Sequence, residues 1–140
     1  MKKVDVVVLT KNSAITLGIV IEGILEAVPV HKLVVVDGGS SDDTLRIARK
    51  YGAKIVHEEG KLGRARYRGA LEVETDWFCF IDSDILLFPY WYKRLKKWTR
   101  NPRVAWTGTL PLERSKILES YARSKSHKYR HPFLFEKPVA

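Results

Sequence analysis

The 140-residue chain predicts an α/β fold, a mostly parallel sheet sandwiched by helices. Three observations carry that expectation. Short β-branched or aromatic runs recur along the first hundred residues, and each is followed by a stretch with a helical apolar stripe. The strand-like runs are apolar on successive residues, as strands covered on both faces are. The segments that follow them are polar, glycine-containing loops, and no repeat or low-complexity linker interrupts the series.

Val4 to Leu9 opens the series as a strand buried on both faces. Ser13 or Asn12 is placed to cap a helix running to about Val28, with Ile15, Ile19, Ile21, Ile24, Leu25 and Val28 as its stripe, and Pro29 ends it. Leu33 to Val36 is the second strand, closed by Asp37-Gly38-Gly39-Ser40. Ser40, with Asp43 three residues on, reads as a capping box for a helix to about Tyr51, which Gly52 terminates. Lys54 to His57 is a short third strand, Glu58 to Gly60 a loop, and Lys61 to about Val73 a helix. Trp77 to Ile81 is the fourth strand. Pro89 starts a helix through about Thr99, and Val104 to Thr107 is a fifth strand. Residues 1–112 make the α/β domain, and 113–140 a basic C-terminal segment, read as the start of an acceptor region or a tail.

Asp82-Ser83-Asp84 stands where the fourth strand stops. On an extended segment the side chains of an i, i+2 pair leave the same face, so the carboxylates emerge together. Adjacent carboxylates repel unless a cation joins them, and hard oxygen ligands suit Mg²⁺ or Mn²⁺. The competing reading is a solvated, aspartate-rich loop. In open α/β sheets ligands bind beyond the carboxyl ends of the strands. Thr10-Lys11-Asn12, Asp37-Gly38-Gly39-Ser40 and Asp82-Ser83-Asp84 therefore converge on one edge, where helix N-termini favour phosphate. Together they point to a nucleoside diphosphate with a divalent cation.

The net charge of +9 is uneven: residues 1–84 hold 12 Lys/Arg and 13 Asp/Glu, and residues 85–140 hold 13 and 3. Such asymmetry points to an anionic partner: nucleic acid, a membrane surface or a phosphorylated substrate. The basic half carries no recognisable nucleic-acid motif, so no nucleic acid is expected. The single Cys79 excludes an intrachain disulfide framework and, buried in a strand, is no nucleophile. No stretch approaches the ~20 apolar residues of a membrane span. The run behind Lys2-Lys3 contains Asp5 and ends by Thr10, unlike a signal peptide. The expectation is a cytoplasmic protein, or one peripheral at the inner face of a membrane.

Val7-Val8-Leu9-Thr10-Lys11-Asn12, Val34-Val35-Val36-Asp37-Gly38-Gly39-Ser40-Ser41-Asp42-Asp43-Thr44, Gly63-Arg64-Ala65-Arg66 with Gly69, and Phe80-Ile81-Asp82-Ser83-Asp84 occur in this order over residues 4–108. In order and spacing they resemble the family-2 glycosyltransferases, nucleotide-sugar enzymes of the Rossmann-like GT-A fold. The resemblance implies a metal-dependent, inverting transfer of a sugar from a UDP- or GDP-type donor. Thr10 would line the base and ribose pocket, with Asn12 among the donor-binding residues. Asp37 would accept a hydrogen bond from the base; its other reading is a turn-former holding the Gly38-Gly39 loop. Arg64 or Arg66 would reach the base or diphosphate. Asp82 would approach ribose and metal, and Asp84 would coordinate the Mn²⁺ or Mg²⁺ on the diphosphate.

The resemblance also calls for a general base beyond the Asp-Ser-Asp motif. Only Glu113, Glu119 and Glu136 remain downstream; Glu113 is the nearest candidate, and an exposed loop carboxylate is its other reading. His127 and His131 are four apart, but Pro132 disfavours helix there, and they read as part of a solvated tail. Tyr67 stands where many relatives carry Asn. The helix of Trp91, Leu95 and Trp98 could pack on the sheet or lie on an anionic bilayer. A lipid-linked phosphate would suit the basic tail as acceptor, and a glycan is the other candidate, although Ile85-Leu86-Leu87 lacks the follow-on usual in the dolichyl-phosphate branch. Two other functions are retained: a non-catalytic nucleotide-sugar-binding domain completed by further polypeptide, and a nucleic-acid-binding module.

Overall fold

The computed structural model describes residues 3–87 and 89–93, with the strand backbones at 105–106, 110–111 and 133–136. Four parallel strands form its centre: β1 (Val4–Thr10), β2 (Val30–Asp37), β3 (Lys54–His57) and β4 (Trp77–Asp82). Three helices connect them: α1 (Leu17–Ala27), α2 (Thr44–Lys50) and α3 (Leu62–Leu71). After β4 come β5 (Ile85–Leu86), β6 (Ala105–Trp106), β7 (Leu110–Pro111) and β8 (Phe133–Glu136). The main sheet runs β3-β2-β1-β4-β8-β6, and β5 pairs with β7 in a separate ribbon.

The chain winds outward from β1 through β2 to β3, then returns to place β4 on the other side of β1. That reversal opens a crevice at the carboxyl ends of β1 and β4, where such sheets take ligands. Register aligns the edge, with Thr10 opposite Asp37 and Leu9 opposite Asp82.

Both sheet faces are covered, as the unbroken apolar runs predict. Val6, Val8, Val35, Cys79 and Ile81 pack with Leu17, Val20, Ile21 and Ile24 of α1. Val7, Val34, Val36 and Phe78 form the opposite core, against which Ala65 and Ala70 of α3 rest. Gly69 permits that second contact: a Cβ there would lie 2.5 Å from Val7 Cγ1 and 3.0 Å from Val36 Cγ2. Each fully buried Leu, Ile or Val contributes roughly 1.5–3 kcal/mol relative to exposure.

Several boundaries differ from expectation. α1 begins at Leu17 because Asn12 takes a positive φ of 48° and Ser13 starts a turn, its carbonyl accepting from Thr16 and Leu17 N–H at 3.1 and 2.8 Å. Ile15 and Leu25, expected in its stripe, are exposed; Leu17, Val20 and Ala27 take their places. The capping box at Ser40 is not formed, since both its N–H and its hydroxyl donate to Asp37. The end of α2 is as expected: Gly52, at φ 70°, donates to the Arg49 carbonyl and Ala53 to that of Ala48, a Schellman motif.

β8 lies within the C-terminal segment, yet it pairs antiparallel with β4 and β6 inside the main sheet. β5, β7 and β8 were not expected, because pairing between distant segments leaves no local pattern. Beyond β4, Ile85, Leu87, Trp91 and Tyr92 join the core under α1. Trp91, at 3% exposure, is thus a packing residue, which settles for that side chain the choice between sheet and bilayer. The rest of the expected 89–99 helix lies outside the described residues. Among the described residues no helix is long and apolar enough to cross a membrane.

Candidate active site

At the carboxyl edge lies a cleft of about 450 Å³ that opens on the α3 side of the sheet. Leu9 of β1, Val36 of β2 and Phe80 of β4 line it from the sheet. Leu62, Ala65 and Arg66 contribute the α3 wall; Thr10, Lys11, Ser13 and Gly38 a second; Glu58, Glu59 and Gly60 a third. Asp82, Ser83 and Asp84 complete the lining. Its volume falls in the ordinary range for small-molecule sites.

The structure divides the residues expected here into two groups. Thr10, Gly38, Arg66, Asp82 and Asp84 line the cleft. Asn12, Asp37, Gly39 and Arg64 do not line it; the first three stand in the loops behind it. Glu113, Glu119, His127 and His131 lie outside the described residues, as does the Glu136 side chain.

Asp37 shows what standing behind means. The residue is 1% exposed. Oδ2 accepts the N–H of Gly39 at 3.1 Å and of Ser40 at 2.9 Å. Oδ1 accepts the Ser40 hydroxyl and, at 3.3 Å, that of Thr10. A carboxylate has about four acceptor positions, and four donors fill these. The geometry displays the turn-holding role: the carboxylate fixes the bend in which Gly39 takes φ 83°. Gly38 approaches β1 closely enough for its N–H to donate to the Thr10 carbonyl at 2.8 Å.

Asn12 and Asp42 extend the same scaffold. The Asn12 N–H donates to Ser40 Oγ at 2.9 Å, and its side-chain oxygen accepts the Ser41 N–H at 2.8 Å. Asp42 accepts the Thr44 hydroxyl and N–H and, at 3.1 Å, the Ala14 N–H. Those bonds, the hydroxyl's first, hold its carboxyl below the ordinary 3.8.

Asp82 ends β4, but Ser83 and Asp84 lie in a turn before β5. The alternation expected for an extended i, i+2 pair therefore does not govern them; the turn brings Asp84 to the cleft. Cys79 is fully buried and burial pushes its thiol far up, so it stays protonated, as expected.

Glu58 and Glu59 drew no functional reading from the sequence, although the signal was present. They follow β3 and so reach the same edge as the other strand-end loops. Glu58 accepts the Gly60 N–H at 2.9 Å and the Arg64 Nε–H at 3.0 Å. That pair turns Arg64 outward, where its side chain is 72% exposed, and leaves Arg66 as the α3 cation of the cleft.

The donor set fits a divalent cation. Four carboxylates (Glu58, Glu59, Asp82, Asp84) face two cations, Lys11 and Arg66, in the lining. Such a cleft repels a diphosphate unless further positive charge enters with it. Among the described residues no group of three or more His, Cys, Asp or Glu could hold a metal. Mg²⁺-type ions are commonly held by one or two carboxylates together with water and substrate phosphates, and Asp82 and Asp84 supply that number.

The sequence model of glycosyl transferase family 2 matches residues 5–138. Among curated proteins, an uncharacterized glycosyltransferase of Rickettsia felis is 34% identical over 86 residues, 60% of this chain and 29% of that protein. The 4,4'-diaponeurosporenoate glycosyltransferase of Staphylococcus aureus is 30% identical over 92 residues, 60% of this chain and 24% of that protein. Among solved structures, glucosyl-3-phosphoglycerate synthase from Mycobacterium tuberculosis, in complex with Mn²⁺, UDP and glucosyl-3-phosphoglycerate, is 30% identical with a TM-score of 0.60. That alignment covers 69% of this chain and 39% of the synthase. A second structure of the synthase aligns over 97% of this chain and 56% of its own, at 21% identity and a TM-score of 0.71, and shows the shared fold. The chain thus spans less than a third of those curated relatives and about half of the synthase. With the family pattern running through nearly all of its length and the sheet order built as described, this chain belongs to glycosyl transferase family 2 and has the GT-A fold.

Proposed function

We propose that these residues form the donor site of a glycosyltransferase that transfers a sugar from a UDP-type nucleotide sugar to an acceptor, with a divalent cation and inversion at the anomeric carbon. The observation that carries the proposal is the carboxylate pair Asp82 and Asp84 in the lining of a cleft on the reversal point of the sheet. The UDP and Mn²⁺ or Mg²⁺ bound by the solved synthase support the choice of base and ion.

Asp82 and Asp84 would hold the cation, which, when bound, supplies Lewis-acid neutralisation of charge on the departing nucleoside diphosphate. Arg66 and Lys11 add fixed positive charge to the walls. Thr10 and Gly38 border the nucleoside end, while Asp37, Asn12 and Gly39 keep that border in shape. Leu9, Val36 and Phe80 exclude water beneath the donor and so strengthen the electrostatics above it. Glu113 stays the proposed base, and a lipid-linked phosphate or a glycan the proposed acceptor.

Calorimetric titration of UDP, GDP and dTDP sugars, with and without Mn²⁺, tests the proposal. UDP-glucose should bind more tightly with Mn²⁺, and Asp84→Ala should remove the enhancement while leaving the fold intact. Equal affinity with and without the ion would refute metal dependence. A second reading, donor binding without transfer, is favoured by the much greater length of the curated relatives. It predicts Mn²⁺-dependent binding but neither hydrolysis nor transfer.

A further inference from the structure

We propose that Ser13 is a positioning residue that ties the Asp82-Ser83-Asp84 turn to the two loops bordering the nucleoside end of the cleft, so that cation and nucleotide binding reinforce one another. The inference rests on the donor-site reading above and deepens it.

Every polar group of Ser13 is committed, each to a different element. Its N–H donates to Thr44 Oγ1 at 2.8 Å, at the start of α2. Its carbonyl starts the turn into α1. Its hydroxyl lies 2.8 Å from the Ser83 hydroxyl, seventy residues away in sequence, and also donates to the Lys11 carbonyl at 3.3 Å. A hydroxyl has one proton to give and two lone pairs to receive. With the Ser13 proton on Lys11, Ser83 is the donor between the two serines, and all these contacts hold at once. Thr44 in turn donates to Asp42, which receives the Ala14 N–H. The β1–α1 loop, the start of α2 and the carboxylate turn thereby form one hydrogen-bonded unit.

The physical need lies in the turn. Ser83 is flanked by two carboxylates, and the repulsion of like charges two residues apart works to open such a turn. The Ser13 hydroxyl holds its central residue against the scaffold. Without that bond, bringing the two carboxylates together has to be accomplished when the ion binds, at the expense of ion affinity. Ion and nucleotide binding are linked reciprocally, so at one fixed, sub-saturating Mn²⁺ concentration the weaker hold on the ion appears as a smaller factor by which Mn²⁺ improves UDP affinity.

That factor is measured by calorimetry on the full chain for the wild type, Ser13→Ala, Ser83→Ala, the double variant and Ser13→Thr, with urea denaturation of each. Each alanine variant should lower the Mn²⁺ enhancement roughly five-fold, the worth of one hydrogen bond. The double variant should be no lower than either single one, and Ser13→Thr should recover most of the loss. A smaller effect is expected on metal-free UDP affinity. If the wild type shows the enhancement and the alanine variants keep it, or if the two losses add, the positioning role is overturned while the donor site stands. If the wild type shows no enhancement, the metal-dependent reading fails and this role with it.

Discussion

Replacing Asp37 separates the two jobs an aspartate at this strand end can do. In the structure Oδ2 receives two backbone N–H groups and Oδ1 two hydroxyls. Asp37→Asn keeps an oxygen for the Gly39 and Ser40 amides. Its NH₂ would face the Thr10 and Ser40 hydroxyls, which can rotate to accept, while the Thr10 proton turns to the Val36 carbonyl, 3.4 Å away. No bond is orphaned and only the assistance of the charge is lost, about 1 kcal/mol. Asp37→Ala strands two partly buried N–H groups, each at about 1–3 kcal/mol. Its cost should be about 3 kcal/mol. Urea denaturation gives both values from midpoints at constant slope, and UDP calorimetry with Mn²⁺ gives the binding side. A stability gap under about 0.5 kcal/mol between the variants would refute the loop-holding argument. So would an Asn variant of unchanged stability that no longer binds UDP, since the carboxylate would then be reading the base.

Gly69→Ala should cost about 1–2 kcal/mol, because the methyl meets Val7 and Val36 at 2.5 and 3.0 Å and overpacking exceeds the gain in helix propensity. Gly63→Ala on the same helix meets nothing within 4 Å and should stabilise by about 0.5 kcal/mol; denaturation midpoints of the pair check both signs. Stability should fall on the acid side. Asp42 is held below 3.8 by the Thr44 hydroxyl, and Glu74 below 4.5 by Lys32 and His31. A group depressed in the folded state contributes fully above its unfolded value, and that contribution is lost as pH falls through the folded one. Urea midpoints should thus be level from pH 7 to 5 and drop below about pH 4, less steeply in Asp42→Asn; a rise on acidification would contradict the argument.

The strands of the parallel core were legible because burial on both faces demands apolar residues without interruption, and Val4–Leu9 and Leu33–Val36 provide them. The Schellman end of α2 was legible because a glycine supplies the left-handed turn. The start of α1 was not, since Ser13 and Asn12 have the chemistry of helix caps and spend it on neighbouring loops. β8 was hidden for another reason. Phe133–Glu136 gains its place by pairing with β4, more than fifty residues earlier, and such pairing leaves no mark on local periodicity. The site shows the same split. The Asp-Ser-Asp turn could be found as the end of an apolar run, whereas the Ser13–Ser83 contact depends on the fold.

One distinction within the site could have been drawn from alternation alone. Successive residues of a strand face opposite sides of the sheet. In β2, Leu33 and Val35 pack on the α1 side, and Val34 and Val36 on the α3 side. In β4, Cys79 and Ile81 pack toward α1, and Phe78 and Phe80 toward α3. Continued by parity to the strand ends, the rule sends Asp37 toward α1 and Asp82 toward α3. The cleft lies on the α3 side, so Asp82 lines it and Asp37 turns into the scaffold. Two aspartates at the ends of strands in one sheet thereby acquire opposite work. One lines the cleft, at the place proposed for the cation. The other is consumed by four donors, and holding that loop is what keeps Gly38 at the edge of the site.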